Sequence, residues 1–192
     1  MKICTKVEVS SDESIKIIKH YKNDVLFKVD RLFNGKITGT KFYDKDGNYE
    51  NGNRPAVISY HDNGNIRALD WYYKRENNYP CGITYYENNL VHSFIWYDDK
   101  DAEHRDNGPS LILYNKDGTI RKIQYQIHGE LHRVYGPTVI DYDYNYVNYK
   151  FLWHFKGEKY TEEVNQWIQN NNFNSWEGMT ESDFDRMWIE IL

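Results

Sequence analysis

Apolar and polar positions follow a repeating order along most of the chain. Short runs rich in β-branched and aromatic residues, such as SLILY (110–114) and TVIDY (138–142), read as strands. Polar clusters follow the runs: DNGN (62–65), ENNL (87–90) and KDGT (116–119). Asn-Gly and Asp-Gly supply the positive φ that a tight hairpin requires. A second apolar stretch comes after each cluster, so the pattern predicts one β-hairpin after another. A further turn, HGE (128–130) or KGE (156–158), closes the unit.

The prolines measure the period. Pro55, Pro80, Pro109 and Pro137 are 25, 29 and 28 residues apart, and they are all the prolines of the chain. Three residues after each stands Ile58, Ile83, Ile112 or Ile140, and five after stands Tyr60, Tyr85, Tyr114 or Tyr142. Fourteen after comes Leu69, Phe94, Ile123 or Phe151; sixteen after comes Trp71, Trp96, Tyr125 or Trp153. The last two columns are two residues apart and so share one face of a strand. Ile66, Val91 and Ile120, at offset eleven, are out of phase with them, which predicts a bulge or a late strand start. Proline donates nothing to a ladder and suits the first residue of a strand.

A degenerate fifth unit precedes these. Gly35, Ile37 and Phe42 match Gly118, Ile120 and Tyr125 in offset, which starts the array near Val25 with Leu26 at the proline position. The expected fold is mainly β: about five antiparallel hairpins in an elongated twisted sheet, capped by two short C-terminal helices. Residues 1–24 form a strand or lead-in, residues 25–158 the array, and residues 159–192 the cap. In the cap, Thr161 is the expected N-cap of a first helix buried through Val164, Trp167 and Ile168. Thr180-Glu-Ser-Asp183 resembles a capping box ahead of a second stripe, Phe184, Met187, Trp188 and Ile191. A hairpin of this size cannot bury its own face, so neighbours must stack, and the aromatic column becomes the core of the array.

Composition narrows the function. Aromatic residues make up 17% of 192 positions, ample for burial, and the cysteines, Cys4 and Cys81, are too few for a disulfide framework. No apolar run is long enough to span a membrane, and the N-terminus lacks an apolar leader, so a cytoplasmic protein is expected. The net charge of −5 resides in residues 159–192, leaving the rest balanced, without the basic excess that nucleic acid requires. Richness in Asn, Tyr, Lys and Ile fits an AT-biased genome, that of a low-GC bacterium, a phage or a large DNA virus.

Two stretches, HRDNGPSLILY (104–114) and HRVYGPTVIDY (132–142), carry His104, Arg105, Gly108, Pro109 and His132, Arg133, Gly136, Pro137 at equal offsets. On these residues the array, over about residues 25–158, resembles MORN-type repeats, in the longer HR-x-x-GP variant of bacterial, phage and giant-virus proteins. The resemblance implies an extended β scaffold for binding and no particular activity.

Candidate chemistry is sparse. His128, Glu130 and His132 spell HGELH, but a zinc protease needs His-Glu-x-x-His on a helix, and Gly129 marks a turn here. His104 and His132 stand one unit apart, roughly 10 Å across two strands, too far to share a proton or a metal. No metal, no cofactor and no catalytic residue is therefore expected. A repeated His-Arg is read as bracing, with Arg stacked on the aromatic column and His bridging turns. Its rival reading is an anion clamp of Arg105 and Arg133, which would make the chain a small-ligand or nucleotide binder with help from exposed aromatics. The candidate protein-binding residues are Asp141, Tyr142, Asp143, Tyr144 and Tyr146 in the acid-and-tyrosine run, with Glu181 and Asp183 on the helical cap. The expected function is a non-enzymatic scaffold for a protein partner, in the setting of a phage or viral accessory protein that blocks a host defence protein.

Overall fold

The structure, a computed structural model, describes residues 2–72, 79–142 and 149–192; the side chains of Tyr149 and Lys150 lie outside that description. The chain is mainly β, with two helices at its C-terminal end. It divides into two compact units, Met1–Phe94 with Lys116–Gly118, and Ile95–Asn115 with Thr119–Leu192.

In the first unit, β1 (Ile3–Val9), β2 (Ile15–Lys22), β3 (Val25–Phe33), β4 (Lys36–Phe42), β5 (Val57–Tyr60), β6 (Ile66–Asp70), β7 (Gly82–Tyr85) and β8 (Val91–Ile95) lie side by side in chain order. Residues 3–22, expected as a strand or lead-in, form a two-stranded hairpin of their own and precede the array by one unit. It carries neither the proline nor the aromatic of the later units, so nothing in the column pattern marks it. One row of directly opposed residues crosses this sheet: Val7, Ile18, Asp30, Thr40, Ile58, Leu69 and Ile83. The isoleucine column therefore faces the offset-fourteen column, both within a hairpin and between hairpins.

Asp30 interrupts that apolar row and is buried. Its carboxylate accepts hydrogen bonds from Thr40 Oγ1 at 2.7 Å and from Lys28 Nζ at 2.9 Å, and pairs with His20 Nε2 at 2.8 Å. Burial pushes its pKa up, but the bonds to Lys28, Thr40 and His20 together outweigh that and hold it below the usual carboxylate range.

The offset-eleven residues reveal a bulge. Leu32 faces Ile37 and Arg31 faces Gly39, so Thr38 is one residue too many; Arg67 is likewise extra between Ile66 and Ala68. Thr38 stands twelve after Leu26 as Arg67 stands twelve after Pro55, and so the degenerate unit obeys the register of the others. The slip brings Ile66, opposite Tyr60, back onto the face of Ile58 and Leu69, from which its odd spacing would otherwise have turned it. Positive φ at the hairpin turns sits on Gly64 (φ 89) and on Asn89 (φ 65), which replaces glycine in ENNL.

In the second unit, β9 (Leu111–Tyr114) and β10 (Ile120–Gln124) form a hairpin in which Arg121 is the extra residue. The short ribbon of β11 (Gln126–Ile127) and β12 (Glu130–Leu131) branches off before β13 (Val139–Tyr142) returns beside β10. β14 (Tyr149–Leu152) follows, and a second ribbon of β15 (His154–Phe155) and β16 (Glu158–Lys159) ends the strands. Ile112, Ile123, Ile140 and Phe151 make the apolar row of this unit.

A small residue follows each proline, and its carbonyl accepts the N–H of the aromatic from the preceding hairpin. In the first unit Phe42 donates to Ala56 at 2.8 Å and Trp71 to Cys81 at 2.9 Å; in the second, Trp96 donates to Ser110 at 2.9 Å and Tyr125 to Thr138 at 2.8 Å. Ala56, Ser110 and Thr138 are almost wholly buried.

Trp153 ends the series, and its N–H donates to the Oγ1 of Thr161 at 3.0 Å. Thr161 is thereby the first residue of α1 (Thr161–Asn170) rather than its N-cap, a place Tyr160 takes without a side-chain bond. The threonine hydroxyl that could have capped the helix instead satisfies the last aromatic of the array. The second helix, α2 (Glu181–Ile191), begins with a full capping box: Thr180 N–H donates to Asp183 Oδ2 at 2.9 Å, and Asp183 N–H to Thr180 Oγ1 at 3.3 Å. Val164, Trp167, Ile168, Met179, Phe184, Met187 and Trp188 close over Trp153 as one buried cluster. The indole N–H of Trp188 donates to the carbonyl of Val134 at 2.9 Å, which ties α2 to the second His-Arg loop. No helix among the described residues is long and apolar enough to cross a membrane.

Met187 is fully buried while Ile189, two residues on, is 81% exposed. Met187→Ala is expected to cost about 2–5 kcal/mol through transfer and cavity terms, and Ile189→Ala no more than about 0.5 kcal/mol. Urea unfolding followed by tryptophan fluorescence measures both; equal costs would show that the helices do not form the core of this unit.

Candidate functional site

The two HR-x-x-GP loops fold alike, and each residue of the motif has a mechanical reason to be there. The guanidinium carbon of Arg105 lies 4.1 Å from the ring centre of Trp96, and that of Arg133 lies 4.0 Å from Tyr125. Each arginine then donates an Nη1 hydrogen bond to the carbonyl of the proline four residues on, Pro109 at 3.4 Å and Pro137 at 3.1 Å. The chain passes so close beneath the guanidinium that a Cβ at Gly136 would stand 2.8 Å from Arg133 Cζ, with 3.0 Å at Gly108. Both glycines also hold positive φ, 126° and 151°. Burial pushes the pKa of both guanidinium groups down.

The histidine reaches the other way. His104 Nδ1 accepts the N–H of His128 at 3.1 Å, and His132 Nδ1 accepts the N–H of Lys156 at 3.3 Å. His128 and Lys156 open the turns of the two ribbons with φ of 50°, followed by Gly129 and Gly157 at 82° and 83°. Those glycine N–H groups donate to the strand before them, Gly129 to Glu103 at 2.9 Å and Gly157 to Leu131 at 3.0 Å. The ribbons thus form a ladder in which every histidine of the motif clamps the next turn.

At His128 the ladder gathers further groups. Its ring stacks on His104 with centres 4.4 Å apart and an interplanar angle of 20°, and its Nδ1 stands 2.8 Å from Asp98 Oδ2. Asp98 Oδ1 takes the N–H groups of Lys100 at 2.9 Å and Ala102 at 3.0 Å. The bond to His128, then that to Ala102, holds the Asp98 carboxyl down to about 2. The ligand atoms of Asp98, His104 and His128 all lie within 4.8 Å of one another, which makes this the group most able to hold a metal among the described residues. The stacking opposes it. Ring nitrogens lie in the ring planes, so two parallel imidazoles do not aim at a common point. His104 is also committed at both nitrogens, to the main chain at Nδ1 and to Asp106 Oδ1 at 3.2 Å from Nε2. A metal would have to displace the proton between His128 and Asp98 and turn His104 off its turn. The cluster serves chemically as a hydrogen-bonded brace whose outer ring, His128, is exposed.

His128, thirty residues from Asp98, was not singled out as its partner in the sequence. The available signal was register: Asp98 stands two after Trp96, as Ile127 stands two after Tyr125 and Phe155 two after Trp153. The HGELH stretch does not bring His128 to His132; it brings His128 to His104, one repeat back.

The other candidate residues are spread out. Asp141 and Tyr142 are half-buried in β13, where Asp141 stands opposite Lys122 and Lys150. Asp143, Tyr144 and Tyr146 lie outside the described residues. Asp183 is engaged in the capping box, and its bond from the Thr180 hydroxyl draws its pKa down. Glu181 is exposed in the first turn of α2, near the second motif loop: the charges of Asp185 and Glu181 both raise the pKa of Tyr135, whose ring lies 6.0 Å from Phe184.

Neither a protein-family model nor a curated protein matches the sequence. Among solved structures, a crystal structure of TarM aligns with 12% identity and a TM-score of 0.28, over 47% of this chain and 14% of that one. A mutant of S. aureus TarM, in complex with Fondaparinux, alpha-GlcNAc-glycerol and UDP, aligns with 12% identity and a TM-score of 0.28 over 54% and 17%. The chain spans less than a fifth of either, and a likeness of that size carries no argument.

Two outcomes test the bracing. Gly136→Ala meets both a crowded guanidinium and positive φ, whereas Gly118 holds φ 86° in open space. Gly136→Ala is expected to cost about 1–3 kcal/mol more than Gly118→Ala in urea unfolding. The second outcome concerns pH. Burial, the leading cause, lowers the pKa of His132 and of His154, whose Nδ1 is paired with the Thr138 hydroxyl at 2.8 Å. Unfolded imidazoles take up protons near 6.5 and the folded ones only below it, so in that window the unfolded chain binds more protons. Stability of the second unit is therefore full above this window and falls as the pH drops through it. A melting temperature by near-ultraviolet circular dichroism that is lower at pH 5.5 than at 7.5 is expected; no difference would refute the assignment.

Proposed function

We propose that this chain is a non-enzymatic, MORN-type repeat scaffold whose task is to bind another protein. The observation that carries the reading is where the chemistry of its one repeated motif goes. Both arginines stand over aromatic rings with a hydrogen bond to their own loop, and both histidines clamp the next turn. Guanidinium groups held in this way are poorly disposed to form the two-pronged bond that recognises a phosphate or carboxylate. That weighs against the small-ligand reading built on Arg105 and Arg133.

The surface supports a macromolecular contact. Tyr72 and Tyr79 in the first unit, and Tyr97 and Tyr135 in the second, are exposed at 57%, 69%, 40% and 42%. Tyrosine gives a large contact area at small entropic cost and is enriched in protein interfaces. On the cap, Glu162, Glu163, Glu181 and Asp185 face solvent while the apolar sides of both helices are spent on Trp153. An acidic outer face favours a basic partner surface and fast association with it. The viral or phage setting, with a host defence protein as the partner, is our proposal for the biology and rests on the genome bias and the repeat variant.

The test is capture by the immobilised chain from nuclease-treated host lysate, beside native mass spectrometry of the same sample with nucleoside triphosphates. One protein retained in stoichiometric amount is expected, with capture reduced by Glu181→Lys combined with Asp185→Lys. A folded chain that retains no protein but takes up a nucleotide, and loses it in Arg105→Ala with Arg133→Ala, would replace this reading with the ligand one.

A further inference from the structure

β1 is the edge strand at which the sheet of the first unit begins. Among the described residues it pairs only with β2, through seven consecutive residues and without a bulge. The direction of its main chain can be read from its ends. The carbonyl of Lys2 accepts the N–H of Asn23, and the N–H of Ser10 donates to the carbonyl of Ile15. Even-numbered residues of β1 therefore turn their main-chain groups toward β2, and Ile3, Thr5, Val7 and Val9 turn theirs outward. The side chains of Ile3, Val7 and Val9 are about half exposed, at 57%, 56% and 49%. Proline, a bulge or an overlying loop commonly protects such an edge; the strand itself has no proline and no bulge.

We propose that the open edge of β1 pairs antiparallel with β1 of a second copy of this chain, about a two-fold axis at Val7. The sequence is self-complementary in that register. Val7 meets Val7 of the second copy and Thr5 meets Val9, so three outward-facing pairs on the two strands exchange main-chain hydrogen bonds. Between them Lys6 faces Glu8 and Glu8 faces Lys6, two opposite-charge pairs at the closer, non-hydrogen-bonded spacing. Glu8 already accepts a bond from Lys19 at 2.6 Å on the exposed surface, and Lys6 stands over Tyr21, 5.0 Å from its ring centre. Both charged ends are thus held at the strand, ready for a partner. Centring the pair on Lys6 would set Lys6 against Lys6. Centring it on Thr5 would match Glu8 only with Lys2, which lies outside the strand and stands beside Asp24. The occupant is a second copy because one strand supplies both halves of the charge pattern.

Sedimentation velocity and light scattering over about 1–300 µM chain, at low salt, test the pairing at the affinities expected of a small interface. Wild type is expected to pass from monomer to dimer in that range. Val7→Pro removes only an outward N–H, so it is expected to stay monomeric with an unchanged far-ultraviolet spectrum. Lys6→Glu or Glu8→Lys, each alone, should weaken the dimer about tenfold, since like charges then face each other twice. Mixing those two variants should restore a dimer containing one of each, and the double variant Lys6→Glu with Glu8→Lys should dimerise like wild type. A wild type that remains monomeric throughout overturns the proposal, as does a folded Val7→Pro that dimerises undiminished. A dimer lost in Val7→Pro but indifferent to Lys6→Glu overturns the register at Val7.

Discussion

The fold depends on one main-chain hydrogen bond, made once per repeat, from the N–H of the column aromatic to the carbonyl just after the next proline. Phe42 to Ala56 and Trp71 to Cys81 make it in the first unit; Trp96 to Ser110 and Tyr125 to Thr138 make it in the second. It fixes where each hairpin begins against the one before, and a strand displaced by one residue would turn its whole side-chain set over. The proline fits this place because the strand's first ladder bond falls one residue later. The residue after proline must be small, since it lies buried on the face that carries the aromatics. Small size is what Ala56, Cys81, Ser110 and Thr138 have in common, and the two hydroxyls add a bond to the carbonyl fourteen residues on.

A register set by one bond per repeat needs support, and the HR-x-x-GP loop supplies it. An arginine on an aromatic face contributes about 0.5–2 kcal/mol, and a net main-chain hydrogen bond about 1 kcal/mol. Neither is large, but each loop makes both, and the histidine adds a clamp on the next ribbon turn. The contributions act in series along the chain: arginine holds its own loop and proline, proline sets the strand, histidine holds the turn beyond. The first unit manages without the motif. Its small-residue contacts are the same, but Asp30, His20, Lys28 and Thr40 occupy part of the sheet face with a buried ionic cluster. Such a cluster specifies pairing more than it stabilises, because desolvation offsets much of the attraction.

Most of the architecture was legible in the sequence because repetition averages out local ambiguity. A single Val-Ile run could be strand or helix, but four prolines with isoleucine at one fixed offset cannot. The phase conflict of Ile66 and Ile120 even located the bulge, down to the degenerate unit where Thr38 takes the extra place. What repetition does not mark was missed. The hairpin of residues 3–22 has no proline and no Phe, Tyr or Trp at the column position two after Ile18; its own turn rests on Asp12 and the next one on the positive φ of Asn23 and Asp24. Thr161 read as a helix cap because capping is a local rule, whereas the unpaired N–H of Trp153 is a demand of the whole array. Asp98 and His128 meet only because two ribbons stack, and a contact of that kind has no sequence spacing of its own.

The ends of a repeat sheet pose a problem that its middle does not, since every interior strand is satisfied by its neighbours. At β14 the chain answers with residues that have left the repeat altogether. Thr161 takes the last aromatic N–H, and seven apolar side chains bury Trp153, giving the second unit a compact core that hairpins alone do not build. That answer uses more than thirty residues. At β1 the described residues offer no such cover, yet the strand is neither short nor broken by proline, and its charges alternate in sign along one side. Repulsion alone would be served by lysine at every outward place. A lysine and a glutamate two residues apart, on a strand whose free main-chain groups are regularly spaced, instead favour one particular strand over others. That selectivity requires no additional residues, because it follows from the order in which one lysine, one valine and one glutamate occur.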